Sequence, residues 1–381
     1  MRSITWTEAS TRRLSRHHLA DPDDREPAAI SAAALGIHAQ VMSAAELSVC
    51  IRTKSLTRAD VRDALWRTRT LVKTRGPRGT VHLLAAADLP MWTGALFAIP
   101  SGPASWPDNV RMSEMQTERV IEAIGDAVAD DELTVDELTE AIVARVGSWA
   151  GDRVMPAFQD NWPRWRQVEA IATSRGVLCF GPDRGRRTTY TSPRRWLPGF
   201  IPAPPDEALS MLVKRYLRAY GPATTEQFAR WLGAPPAWSA RLFAAQAGLE
   251  RVDFDGTPAW VAAGDTDLPD PAARCLRLLP YFDSYLIGCW PRTRLFPGPA
   301  AERALRGGQA GNVPALLVDG VVAGVWHQRR SGQRIAVTVE PLAELTAAQR
   351  ELLDEEVARI GRILQGTAVL TIGPVTVGAH A

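Results

Sequence analysis

Two sets of residues in this chain are of the kinds that do chemistry. The first is the triplet His38-Ala39-Gln40, preceded by Leu35-Gly36-Ile37. It sets an imidazole, which changes charge near neutral pH, beside an amide that both donates and accepts hydrogen bonds. Residues two apart on a helix do not share a face, so the pair can serve one pocket only if the helix predicted over residues 28–41 ends or bends there. Otherwise His38 is a hydrogen-bonded structural residue and Gln40 caps the chain. The second set is arginine. Residues 67–78 hold Arg67, Arg69, Lys73, Arg75 and Arg78 with no acid, and residues 175–195 hold six arginines against Asp183 alone. Residues 114–140, by contrast, carry ten acids and a single base, Arg119. A net charge of +2 therefore conceals a segregation that suits a molecule presenting one face to a polyanion. The alternative is an ordinary solvated charge run.

The arginines sit on a repeated pattern. Three times a stretch of helical periodicity ends in two short β-type segments joined by a Gly-centred turn. The turns are Gly76-Pro77-Arg78-Gly79, then Gly181-Pro182-Asp183-Arg184-Gly185-Arg186-Arg187, then Asp255-Gly256. Helices are predicted ahead of the first over 28–41, 44–51 and 57–67, ahead of the second over 113–129, 134–146 and 162–174, and ahead of the third over 206–220, 224–232 and 236–247. Thr57 and Thr224-Thr225-Glu226-Gln227 have the composition of helix starts. This is the pattern of tandem winged helices.

After Asp270-Pro271 the texture becomes strand-rich, with strands expected over 275–279, 314–318, 321–327, 333–339 and 368–372 and one helix over 346–364. The expected fold is thus α+β: three winged-helix units at 1–100 (with an N-terminal arm), 101–200 and 201–268, then a β-rich, barrel-like domain at 269–381. In that last domain Pro280-Tyr281-Phe282-Asp283-Ser284-Tyr285 is an aromatic, Asp-bearing loop after a strand. The hairpin tip around Arg329 and Arg330 is either solvated or suited to a narrow, negative minor groove.

Composition closes off several function classes. No apolar run reaches membrane-spanning length, and the start Met1-Arg2-Ser3-Ile4-Thr5-Trp6 lacks a signal-peptide core, so a cytoplasmic, nucleoid-associated protein is expected. The four cysteines, Cys50, Cys179, Cys275 and Cys289, form no Cys-x-x-Cys pair, which argues for buried free thiols and against a bound metal. There is no Gly-x-Gly-x-x-Gly or phosphate-loop motif, so no nucleotide cofactor is expected. The thirteen tryptophans are expected to fill cores, with Trp162 and Trp165, ahead of the second basic turn, as possible exceptions.

Taken together, Arg12-Arg13-Leu14, Leu35-Gly36-Ile37-His38-Ala39-Gln40, Arg78-Gly79-Thr80-Val81-His82-Leu83, Leu278-Leu279-Pro280-Tyr281-Phe282-Asp283-Ser284-Tyr285-Leu286 and Val318-Asp319-Gly320-Val321-Val322-Ala323-Gly324-Val325-Trp326 resemble the winged-helix DNA glycosylases of the AlkZ and YcaQ family. The resemblance runs over nearly the whole chain. It implies three tandem winged helices and a C-terminal β-domain around duplex DNA carrying alkylated bases. It also implies a catalytic motif of Gln, an aliphatic residue, then Gln or Asp, which falls on His38, Ala39 and Gln40. His in place of the first Gln resembles the His-aliphatic-Gln, AlkX-like branch.

On that resemblance the chemistry is hydrolysis of the N-glycosidic bond. An N7-alkylated guanine already carries positive charge and leaves C1′ without a general acid, so the enzyme must stabilise an oxocarbenium-like sugar and place a water. An imidazole of ordinary pKa, about 6.5, can take the water's proton while Gln40 holds the water or the sugar. No lysine lies beside the triplet, which implies a monofunctional enzyme without a Schiff base. His82 and Asp283 are secondary cleft candidates, each with a structural alternative, as a strand-end histidine bonded to backbone and as a turn cap. Arg75, Arg78, Arg184, Arg186, Arg187, Arg329 and Arg330 are assigned to phosphate or groove contact. Bulky adducts and interstrand crosslinks fit the same family, and a monomer is expected because no heptad or dimer helix appears. The competing readings are a winged-helix transcriptional regulator and a non-catalytic DNA-binding protein.

Overall fold

A capping box opens the first helix, α1 (Trp6–Arg16). The Thr5 backbone N–H donates to the Glu8 carboxylate at 2.7 Å, and the Glu8 N–H donates back to the Thr5 hydroxyl at 3.3 Å. These two bonds satisfy donors that a helix start leaves open. The computed structural model describes residues 2–100, 106–156, 160–267, 275–305 and 307–378. The chain forms two units, one made of Met1–Leu71 with Val213–Ala381 and the other of Val72–Leu212. Each mixes helices and strands, so the α+β class holds. The boundaries expected after residues 100 and 268, and the texture change at Asp270-Pro271, fall on or beside residues outside the described ones. Among the described residues no helix is long and apolar enough to cross a membrane.

In the first unit β1 (Ser3–Ile4) and α1 are followed by α2 (Pro27–Ala33), β2 (Ile37–His38), α3 (Met42–Cys50) and α4 (Arg58–Trp66). The helix expected over 28–41 is therefore cut short, and His38 lies on a strand. The cause is local. Leu35 adopts φ 54° and Gly36 φ 96°, and the Gly36 N–H bonds the Ser31 carbonyl (2.8 Å) while the Leu35 N–H bonds that of Ala32 (3.2 Å). This is a Schellman termination with a leucine where glycine is usual. Leu35 is 2% exposed, so burial of its side chain offsets the left-handed strain.

The second unit begins within β3 (Leu71–Arg75), which pairs with β4 (Val81–Ala85), and continues through α5 (Leu89–Phe97), α6 (Glu114–Val128), β5 (Leu133–Thr134), α7 (Val135–Val146), β6 (Arg153–Pro156), β7 (Asn161–Pro163), α8 (Glu169–Ser174), β8 (Cys179–Phe180) and β9 (Thr189–Thr191). The helix expected over 162–174 is corrected here too. Trp162 and Pro163 pair with β6, a 3₁₀ turn spans Arg164–Val168, and only Glu169–Ser174 is α-helical. Pro163 has no N–H and favours an extended predecessor, which holds Trp162 in the strand. Trp165 is fully buried in this unit's core and donates its indole N–H to the Thr139 hydroxyl at 2.8 Å.

The first unit resumes within α9 (Pro205–Tyr220) and runs through α10 (Thr225–Leu232), α11 (Pro236–Ala245), β10 (Leu249–Phe254), β11 (Thr257–Ala262), β12 (Leu276–Leu279), α12 (Ser284–Gly288), α13 (Arg292–Leu295), α14 (Pro299–Ala304), β13 (Ala315–Val318), β14 (Val321–Ser331), β15 (Arg334–Pro341), α15 (Ala347–Ile363) and β16 (Thr367–Ile372). Asp255 (φ 51°) and Gly256 (φ 82°) make the two-residue turn between β10 and β11. β1 pairs in parallel with β10, so the N-terminal arm adds a third strand to that hairpin. The five strands β12 to β16 form an open sheet in sequence order, so the barrel-like expectation is corrected to an open sheet. β15 and β16 are parallel, which demands a long crossover, and α15 supplies it while packing on both β12 and β16.

The helix α1 was not among the expected helices, and its arginines are interior residues. Arg13, fully buried, donates to the carbonyls of Trp290 (2.8 Å) and Pro222 (3.0 Å), with its guanidinium over the rings of Trp6 and Phe254. Arg12 donates to the Asp265 carbonyl at 2.8 Å, and burial lowers its pKa to about 10. One turn on, His17 is also fully buried, within 3.2 Å of the Ala219 carbonyl. Burial first, and the Arg52 charge second, push its pKa down to about 3. The folded protein thus refuses a proton that the unfolded chain accepts below pH 6.5, and stability falls as pH drops through that window. Between pH 7 and pH 5 this one group should remove about 2 kcal/mol. Urea denaturation at the two pH values checks this, and His17→Asn should flatten the difference by that amount. An unchanged difference would contradict it.

Candidate active site and nucleic-acid contacts

Because α2 ends early, the triplet emerges on extended chain and then a bend, where His38 and Gln40 are free of the helical spacing that would have separated them. His38 is 8% exposed, Ala39 is buried and Gln40 is exposed. Three contacts from distant parts of the chain fix the approach. The Tyr220 hydroxyl donates to the Ala34 carbonyl at 2.6 Å, and the Ser284 hydroxyl donates to the Gly36 carbonyl at 2.9 Å. The ring of Phe282 lies 4.8 Å from the His38 ring, centroid to centroid, tilted by 34°. Phe282 itself adopts φ 56°, rare for a bulky residue, and its N–H is held by the Gly311 carbonyl at 2.8 Å. Left-handed residues on both sides of one imidazole are the kind of strain that folds retain at functional sites.

Asp283 holds that loop in place. Its carboxylate, fully buried, accepts from both Arg52 Nη atoms (2.9 and 2.8 Å), from the Ser48 hydroxyl (2.7 Å) and from the Tyr285 backbone N–H (2.9 Å). Burial alone would raise its pKa, but the Arg52 charge and these four donors outweigh it and keep the carboxyl below its ordinary 3.8. Asp283, a cleft candidate from sequence, is thus placed in the interior, capping α12 and joined to the end of α3. Nothing in the sequence marks Arg52, Ser48 or Tyr220, whose partners Asp283 and Ala34 lie far along the chain, and Ser284 is visible only as part of the aromatic loop.

The other candidates divide by what holds them. His82, also buried, donates Nδ1–H to the Thr80 carbonyl at 2.8 Å and packs on Gly76, where a Cβ would come within 2.9 Å of that nitrogen. It braces the first basic turn. Arg75 donates to the Gly79 carbonyl at 2.9 Å and pairs with the buried Glu169, which Arg166 also holds at 2.9 Å. Arg78 is exposed at φ 59° on the tip of the turn. Arg184 is exposed and pairs with Glu137 at 2.9 Å. Arg330 donates to the Leu364 carbonyl (2.6 Å) just beyond α15. Arg186, Arg187 and Arg329 are exposed and make no ion pair among the described residues. All four cysteines are buried free thiols, and burial pushes Cys50 up to about 12.

The model of the family described as DNA glycosylase AlkZ-like matches residues 32–363. The chain belongs to the AlkZ-like DNA glycosylase family. It is 30% identical over 375 residues to the interstrand DNA cross-link repair glycosylase of Streptomyces sahachiroi, covering 94% of this chain and 96% of that protein. Its fold is similar to the solved structure of Streptomyces sahachiroi DNA glycosylase AlkZ, with a TM-score of 0.81 and 27% identity, covering 98% of this chain and 100% of the other. For a DNA glycosylase the substrate is DNA, and the bond broken joins base to sugar.

In this glycosylase the Arg52–Asp283 pair is the contact most exposed to test. Removing one partner strands a buried charge, at a cost of about 3–5 kcal/mol, whereas replacing both with apolar residues costs less. Asp283→Leu and Arg52→Met should each lower the unfolding free energy measured in urea by an amount of that order, and the Asp283→Leu/Arg52→Met double variant by less than their sum. Single variants that unfold at the wild-type midpoint would show that the pair is not a clamp.

Proposed function

We propose that this chain is a monofunctional glycosylase that hydrolyses the N-glycosidic bond of N7-alkylated purines in duplex DNA, with His38 and Gln40 as its catalytic pair. The observation that carries the reading is the fixing of His38 by contacts from α9, α12 and the Phe282 loop, while Gln40 reaches solvent directly after it. His38 takes a proton from water as the water oxygen bonds to C1′. The C1′–N9 bond breaks, and its electron pair passes to the base and cancels the positive charge of the N7-alkylated ring. Gln40 holds the water or the sugar oxygen. Residues 28–53 contain no lysine, which favours release of a free base over a covalent Schiff-base route. The crosslink-repair name of the Streptomyces relative supports extending the substrates to bulky adducts and interstrand crosslinks.

The three helix-plus-hairpin segments at 1–100, 101–200 and 201–268 act, on this reading, as winged helices that hold duplex. Arg186, Arg187 and Arg329 are the most available phosphate contacts. Arg184 can exchange its exposed Glu137 partner for phosphate at little cost, since such pairs are worth about 1 kcal/mol or less. Arg75 differs, because its loss would also leave buried Glu169 short of a partner.

Two measurements test these assignments. With duplex carrying one N7-methylguanine, followed by alkali, His38→Ala and Gln40→Ala should each slow strand scission at least about 100-fold, within the usual range for a general acid–base group, with DNA affinity within about twofold. Full activity in the double variant would remove both from the mechanism, and binding without release by the wild type would leave a non-catalytic DNA-binding protein. Neutralising Arg186, Arg187 or Arg329 should reduce the slope of log affinity against log salt by about 0.9 each, on every DNA sequence alike. An unchanged slope would mean that they are merely solvated.

A further inference from the structure

The second unit uses the two tryptophans ahead of its basic turn in opposite ways. Trp165 fills the core, with its indole N–H bonded to the Thr139 hydroxyl. Trp162, on β7, leaves 44% of its surface in water. One face of that indole is occupied. The Arg166 guanidinium lies 4.1 Å from the ring centroid, and its Nε and one Nη donate to the buried Glu169 carboxylate at 3.0 and 2.9 Å, which fixes it there. The same carboxylate pairs with Arg75, whose other Nη donates to the Gly79 carbonyl at 2.9 Å. Contacts thus run without a break, inside one unit, from the indole to the basic turn that carries Arg78 on its tip. Among the described residues no second ring or cation stacks on Trp162.

An indole with a cation clamped beneath one face and nothing over the other is a ready-made platform. Strand pairing with Met155 holds its backbone and the Arg166–Glu169 pair holds its underside, so little side-chain freedom is left to lose on binding. Every nucleobase has a π face that suits such a platform, whatever the sequence. A base inside intact duplex is covered above and below by its neighbours, so only a base that has left the stack can reach the ring. We infer that Trp162 is a stacking site for an unpaired base of DNA, backed by the Arg166 guanidinium, with the first basic turn attracting the adjoining backbone. The inference rests on the reading of the basic turns as duplex contacts. Hydrolysis of the kind proposed above generates such a base, because the one opposite an abasic site has no partner.

The test measures binding by the full chain to three duplexes of one sequence: fully paired, with one extra unpaired adenine, and with an abasic sugar in place of that adenine. The abasic bulge keeps the extra sugar and phosphate and removes the ring alone. Wild type should bind the adenine bulge about tenfold more tightly than the abasic bulge, within the range that base–aromatic stacking gives. Trp162→Ala and Trp162→Leu should each bring that ratio below about twofold, Trp162→Phe should keep at least about threefold, and all three should bind paired duplex within about twofold of wild type. Trp162→Leu stays apolar and loses the π face, so it decides the matter if Trp162→Ala fails to fold. Equal wild-type affinity for the two bulges, or an unchanged ratio in Trp162→Leu, would overturn the stacking site while binding to paired duplex keeps the reading of the basic turns. Failure of wild type to bind any of the three would overturn both.

Discussion

The buried pair of Arg52 and Asp283 holds together segments that the chain separates by more than two hundred residues. Both side chains are fully buried, and the carboxylate is satisfied by two guanidinium nitrogens, a hydroxyl and a backbone N–H. Such a pair adds little net stability compared with well-packed hydrocarbon, but it is unforgiving of any other geometry. It fixes the end of α3 against the start of α12. The loop just ahead of α12 then has one place to go, and it brings Phe282 to the His38 ring and Ser284 to the Gly36 carbonyl. The left-handed conformations of Leu35 and Phe282 are tolerated because this framework over-determines them.

The arginines of this chain perform three separate physical tasks although the sequence writes them alike. Arg12, Arg13 and Arg52 are interior residues that donate to backbone carbonyls or a carboxylate, Arg13 and Arg52 through both Nη atoms. Arg75 and Arg330 stand near basic turns, yet their donors go to Glu169 and to carbonyls at the end of α15. Arg186, Arg187 and Arg329 are left with their charge in water. Of the arginines expected at phosphate, these three are exposed and make no ion pair among the described residues.

Local rules written in adjacent residues were legible in the sequence. The Thr57 and Thr224 helix starts form capping boxes, Asp255-Gly256 makes its hairpin turn, and the helix expected over 346–364 is found at Ala347–Ile363. Two helices were misjudged because tertiary pairing overrode periodicity. Leu35 does not look like a helix stop and becomes one through burial, and Trp162-Pro163 is drawn into a strand by its partner at Met155. The open sheet was read as barrel-like because strand spacing alone says nothing about closure. Within the site, the aromatic, Asp-bearing loop was visible as a feature. Its purpose was not, because it depends on Arg52 and Ser48, which nothing nearby in the sequence marks.

We propose that this framework positions the His38 imidazole for hydrolysis. The most direct measurement is the single-turnover rate of N7-methylguanine release between pH 5 and pH 8 for wild type and Phe282→Leu, with DNA affinity and urea midpoint measured alongside. The variant should bind DNA as wild type does, remain folded, and lose at least about tenfold in its limiting rate, because the imidazole is no longer held at the reacting geometry. Release at the wild-type rate from a folded Phe282→Leu protein would contradict it.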